Sequence, residues 1–298
     1  MNRFLWLVRR EVWENKAIWV APAIVIGCLL VLILTGKVHL GPIGEMHDDV
    51  MFGQAPHELQ VKLLTLVYAG LALVMDMVLG IVAFFYALDS LYSDRRDRSV
   101  LFWKSLPISD AETVLSKFAV AAILIPIIAL AASLVAQLLV AAGGSARLAL
   151  SGLQGGLMWQ PEALFGGFGI AFLWCVTAIL WYAPIIGYLM LASAWAPRGP
   201  FLWAVLPPVG LWVLERVVVG SEYIGDFITD RLFGLYSLLG ARAESEPGDG
   251  DIEKIGNVDL IGGLREFYAA PDLWLGVVAA GLLLAGAMWV RRYRDETS

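Results

Sequence analysis

"LYSDRRDRSVLFWKSLPISDAETVLSK" (residues 91–117) lies between two long apolar runs, 63–88 and 118–142. Its first half gathers Asp94, Arg95, Arg96, Asp97 and Arg98, and next to them stand Val100, Leu101, Phe102 and Trp103. A connector that merely joined two membrane spans would need neither the dense alternation of acids and arginines nor the bulky apolar group. Asp97 or Ser99 can cap a short helix over 99–105, which Pro107 ends. Ser109, three residues before Glu112, makes a capping box, so a second helix is expected to start near Asp110 and run into the following span.

Outward from this stretch the chain is dominated by apolar runs. Of its 298 residues 59% are apolar and 16% charged, with a mean hydropathy of +0.73. One soluble core cannot hide that much apolar surface, so lipid is the expected solvent. Six runs (17–35, 63–88, 118–142, 167–195, 201–219 and 272–290) reach the roughly 17–25 residues that cross the hydrocarbon layer. The fold class expected is an all-α polytopic membrane protein with six transmembrane helices. The second run contains Asp76, whose insertion costs about 2.5–3.5 kcal/mol. The Leu, Ile, Val and Phe residues around it return more than that, at roughly 0.3–0.6 kcal/mol each.

Charge distribution sets the orientation. If the termini are inside, the inner segments carry 13 Lys/Arg in 58 residues and the outer segments 7 in 103. The positive-inside rule therefore places both termini in the cytoplasm. The formal net charge of −6 does not suggest a nucleic-acid partner. No cleavable signal peptide is evident, and the first span is expected to act as an uncleaved anchor. Cys28 and Cys175 fall inside spans and read as packing residues.

Residues 1–16 read as an amphipathic helix, with Phe4, Leu5, Val8 and Val12 on one face and Arg3, Arg10, Glu11 and Glu14 opposite. Such a helix can lie in the headgroup layer. The first outer loop, 36–62, holds His39, His47 and His57, but their spacing fits no ligand pattern and the loop reads as solvated. In the outer segment 220–271, Ile224, Phe227, Ile228, Leu235 and Leu238 recur at helical spacing among charges, which suggests an interfacial or lid-like helix. "ESEPGDGD" (244–251) follows as an exposed turn. Gly276 with Ala280 and Gly281 with Ala285 permit close helix approach, within one chain or between two. Pro126, Pro184 and Pro207–Pro208 interrupt three spans.

Catalytic signatures are missing. The sequence contains no G-x-x-x-x-G-K-[ST], H-E-x-x-H or G-x-S-x-G pattern, so neither an ATP-binding P-loop nor protease chemistry is expected in it. Two readings of 99–105 then compete. Phe102 and Trp103 can anchor at the interface beside arginines that meet anionic lipid. Alternatively, the aromatic and arginine set can seat in a groove of a cytoplasmic protein.

The order of elements, with 91–117 between the second and third of six spans and an amphipathic start at 1–16, resembles the permeases of type-2 ATP-binding-cassette (ABC) exporters. The resemblance implies a single transmembrane domain over 1–298, with 1–16 as its elbow helix and 99–105 as its coupling helix. It also implies two partners: separate cytoplasmic ABC ATPase subunits, and a second permease copy in a homodimer or heterodimer. ATP and Mg would sit on the ATPase, with no cofactor in this chain, and the setting would be the bacterial cytoplasmic membrane. On that reading Arg95, Arg96, Arg98, Leu101, Phe102, Trp103 and Lys104 dock the ATPase, and Ser99, Ser109 and Glu112 cap the helices beside them. Asp76, Glu215 and Arg216 are candidate pathway residues; Asp76 can instead be held by a hydrogen bond from another span, and Glu215 and Arg216 by each other or by neighbouring chains. A proton-coupled carrier using Asp76 and a non-transporting membrane anchor are the alternatives.

Overall fold

The computed structural model describes residues 3–35, 56–97, 108–150, 152, 154–240, 265 and 267–294, and the regular elements among them are all helical. In chain order they are α1 (Arg3–Glu14), α2 (Ala17–Thr35), α3 (His57–Arg96), α4 (Asp110–Ala119), α5 (Ile125–Leu150), α6 (Pro161–Trp195), α7 (Pro200–Val218), α8 (Tyr223–Gly240) and α9 (Pro271–Arg294). Six stretches are long and apolar enough to cross a membrane: α2, α3, α4 continued through α5, α6, α7 and α9. The expected six-span, all-helical protein is what forms.

Local chemistry explains where the helices begin. Ser109 caps α4 as the capping box predicts: its Oγ accepts from the Glu112 amide at 3.1 Å, and the Ser109 amide donates to the Glu112 carboxylate at 2.9 Å. α7 starts at Pro200 just after Gly199, which holds φ +60°, a left-handed turn that glycine adopts without steric cost. α3 has 40 residues and so is about 60 Å long, roughly twice the hydrocarbon thickness. It carries the span of residues 63–88 and a further turn or more at each end.

Between α4 and α5 the helix passes through a π-helical turn, Val120–Leu124. Pro126 supplies the cause. It has no N–H for the carbonyl four residues back, so the ladder widens just before it rather than breaking.

The chain forms two compact units. One comprises Lys16–Val82 and Ile125–Val176. Its core packs Leu63, Leu64 and Tyr68 of α3 against Val140, Ala141 and Leu148 of α5, with Met158 and Ala163 closing it. Between apolar helices lipid supplies no hydrophobic drive, so close fit and polar contacts must hold them. Gly167 provides the fit: a Cβ there would come within 2.5 Å of Tyr68 Cβ. The polar contacts are Tyr68 Oη donating to the Met158 carbonyl (2.8 Å), Gln137 donating to the Tyr68 carbonyl (3.3 Å) and Gln160 donating to Gln60 (2.9 Å).

The other unit comprises Met1–Asn15, Ala83–Leu124 and Thr177–Ser298. Here the Gly276 and Ala280 pair of α9 is used within the chain: a Cβ on Gly187 of α6 would lie 3.3 Å from the Ala280 carbonyl, whereas a Cβ on Gly281 would meet nothing within 4 Å among the described residues. At Gly276 a Cβ would collide with the Arg231 guanidinium. The helix α8 forms over residues expected to be helical, but its Arg231 is buried, which the amphipathic reading does not foresee.

The face of α1 also differs from expectation. Leu5 is 64% exposed, whereas Glu11, assigned to the polar side, is 3% exposed between buried Leu7 and Val12. The reason is a partner 106 residues away, Lys117, which no local periodicity reveals.

Candidate functional site

The connection 97–109 leaves α3 and enters α4, and its two ends are fixed by buried charge. Asp94, three residues before the connection, and Asp110, directly after it, both bond to Arg291 near the end of α9: Nη1 to Asp94 at 3.0 Å and Nε to Asp110 at 3.2 Å. Asp94 also faces Lys117 Nζ at 3.4 Å, and Lys117 reaches back to Glu11 of α1 at 3.0 Å. Tyr86 Oη donates to the same Glu11 carboxylate at 3.0 Å, and Arg10 pairs with Glu11 at 2.7 Å. The side chains of Glu11, Asp94, Lys117 and Arg291 are all under 10% exposed. The result is an alternating row, Glu11–Lys117–Asp94–Arg291–Asp110, in which each cation is shared by two carboxylates. It joins α1, α3, α4 and α9.

Of the proposed docking residues, Arg95 turns inward. Its Nη2 donates to the carbonyls of Ser193 (2.6 Å) and Ala196 (2.9 Å), pinning the end of α3 to the end of α6. Ser193 Oγ in turn accepts from the amides of Leu91 and Tyr92, at 3.1 and 3.0 Å. Arg96 is exposed, paired with Asp97 at 3.0 Å and placed 5.9 Å from the Tyr92 ring centre. Arg98, Ser99, Leu101, Phe102, Trp103 and Lys104, with the short helix expected over 99–105, lie outside the described residues.

The pathway candidates are separately placed. Asp76 is half-buried and accepts from Trp174 Nε1 of α6 at 2.9 Å. An asparagine keeps an oxygen for that indole, whereas a leucine orphans a mostly buried N–H at about 1–3 kcal/mol. Asp76→Asn is therefore expected to melt close to wild type in detergent and Asp76→Leu well below it. An Asn variant that folds but loses function would show instead that the charge itself is used.

Glu215 and Arg216 do not pair with each other. Glu215 accepts from Ser221 Oγ at 2.6 Å and from the Ile224 amide at 2.7 Å, so it caps the first turn of α8 from the end of α7. Arg216 meets Glu222 at 3.3 Å. At α8 the guanidinium of Arg231 stacks 4.1 Å from the Trp181 ring centre, and Trp181 Nε1 donates to the Arg231 carbonyl at 3.0 Å. Burial pushes the Arg231 guanidinium down from its ordinary value while Asp272 pushes it back up; an arginine in such a setting stays charged. Of the histidines His57 is described, exposed and 3.2 Å from Glu162; His39 and His47 lie outside the described residues.

Residues 63–179 match the family model of the ABC-2 family transporter protein. The matched segment runs from α3 through the connection, α4 and α5 into α6, so it covers residues 91–117, one of the features on which the resemblance to type-2 ABC permeases rests, and leaves out the amphipathic start at 1–16. No curated protein and no solved structure matches the chain. Six helices are long and apolar enough for a multi-pass membrane protein, and in its 63–179 segment the chain is similar to the ABC-2 family transporter protein.

Sequence reasoning did not find Glu11, Lys117 or Arg291. Glu11 does carry a signal, since an acid inside the stripe Phe4–Leu7–Val8–Val12 requires a buried cation somewhere. Its distance from Lys117 in the chain hides the partner.

Proposed function

We propose that this chain is the permease subunit of an ATP-driven ABC exporter in a bacterial cytoplasmic membrane. It forms the substrate path with a second permease copy and docks separate ABC ATPase subunits, which bind ATP and Mg. One observation carries the reading: the ABC-2 segment contains the connection 97–109, and both ends of that connection are tied into a buried charge row. A passive loop needs no such anchorage, whereas a segment that receives force must be fixed at its ends. In this reading 99–105 is the coupling helix, with Leu101, Phe102 and Trp103 as apolar anchors and Arg96, Arg98 and Lys104 around them. Arg95 supports it from behind through the end of α6.

α1 fits the elbow role, with Leu5, Trp6 and Trp13 exposed and Arg9 stacked 5.3 Å from the Trp13 ring centre. Indole rings beside arginine suit the headgroup layer. Both termini are then cytoplasmic, and α8 with its Glu215 cap lies on the outer side. Asp76 serves by accepting from Trp174 rather than by moving protons, and Glu215 and Arg216 shape the outer end of the path through α8.

A neighbouring gene that encodes a P-loop ATPase is expected, and co-expression with its product tests the reading. Stable co-purification and vanadate-sensitive ATP hydrolysis in reconstituted vesicles are expected. A chain that purifies alone, with transport independent of ATP, would point to the carrier alternative.

A further inference from the structure

Arg291 occupies an unusual position: it belongs to α9, the last span, yet it binds the residues that flank a connection nearly 200 positions earlier. Apolar helix faces in a bilayer slide past one another at little cost, because lipid chains are as apolar as the side chains they replace. A buried ion pair behaves differently. Separating it strands charge away from water, and only good geometry offsets that cost. Arg291 meets Asp94 and Asp110 at 3.0 and 3.2 Å while its own side chain is 5% exposed. Because Asp94 also serves Lys117, and Lys117 serves Glu11, any carboxylate that leaves the row takes from a shared cation one of its two partners. The ends of α3 and α4 are thus bound to α9 by charge as well as by packing.

We propose that Arg291 is a positioning residue for transport, one that makes α9 follow the α3–α4 connection whenever the connection is displaced. This rests on the docking reading above, in which the displacement comes from a partner ATPase. Force delivered to the connection reaches α9 directly through Arg291, without passing through the apolar faces between spans. α9 then moves with α4 as one body, and its small residues at Gly276 and Ala280 carry that motion to Arg231 and to α6, which they already touch.

The test places spin labels at Leu115→Cys on α4 and Tyr293→Cys on α9, both exposed, with Cys28 and Cys175 replaced by serine. The complex with its ATPase is measured nucleotide-free and after trapping with ATP and vanadate. In the otherwise unchanged chain the distance between labels is expected to be the same in both states. In Arg291→Met/Asp110→Asn, which removes the link without orphaning a charge at Asp110, trapping is expected to shift it by about 2 Å or more, the scale of helix shifts in switching proteins. Should that double variant not fold, Arg291→Lys decides: a lysine is a point charge that cannot span both carboxylates as the guanidinium does, so a smaller shift of the same kind is expected. A distance that changes on trapping with Arg291 intact, or stays fixed without it, overturns the proposal. Failure of the unchanged chain to capture the ATPase is a separate result: it removes the docking reading, and this inference with it.

Discussion

Lys117→Met is expected to be the most destabilising single substitution at the charge row. Its Nζ stands 3.0 Å from Glu11 and 3.4 Å from Asp94, and its removal leaves two buried carboxylates facing a methyl thioether. Breaking a buried pair from one side costs about 3–5 kcal/mol, a large share of the stability a domain has. The purified variant should melt far below wild type in detergent and accumulate poorly in membranes. The control is removal of the whole pair: Glu11→Leu/Tyr86→Phe/Lys117→Met leaves no orphaned charge or hydroxyl, since Asp94 keeps Arg291 and Arg10 keeps Glu14 at 3.2 Å. Replacing a buried pair by apolar groups of similar volume is often neutral, so this triple variant should recover most of the melting temperature. Equal melting of single and triple variants would show that the pair is not the unit of stability.

Phe102→Ala/Trp103→Ala is expected to release the ATPase while leaving the permease folded. Aromatic anchors at the centre of an interface typically cost about 2 kcal/mol or more each when truncated, roughly 30-fold in affinity apiece. Two together should reduce co-purification to background even if their effects only partly add. The melting temperature of the isolated permease should stay near wild type, as expected of rings that fill a partner's groove rather than the permease's own core. Undiminished capture of the ATPase would assign these rings to the lipid interface.

How far the sequence could be read follows from the range over which each force acts. The six spans depend on local apolar density, and the α4 start depends on Ser109 and Glu112, three residues apart; both are legible. The π turn is a local response to Pro126 whose form no hydropathy pattern predicts. The burial of Glu11 in α1, which the helical pattern places on the polar face, and of Arg231 in α8 has one reason. Glu11 and Arg231 are charges buried because something distant receives them, Lys117 in one case and the Trp181 ring with the Asp272 carbonyl in the other. Amphipathic periodicity assumes water on the polar side, and it fails where a charge is paid for by a remote partner. Asp76 was recognised as needing a partner, and that partner is Trp174.

Photo-crosslinking from position 103 tests the central claim most directly. A benzoyl-phenylalanine in place of Trp103, irradiated in membranes that contain the co-expressed ATPase, should give a covalent permease–ATPase adduct. Adducts confined to phospholipid, with the ATPase present and active, would contradict it.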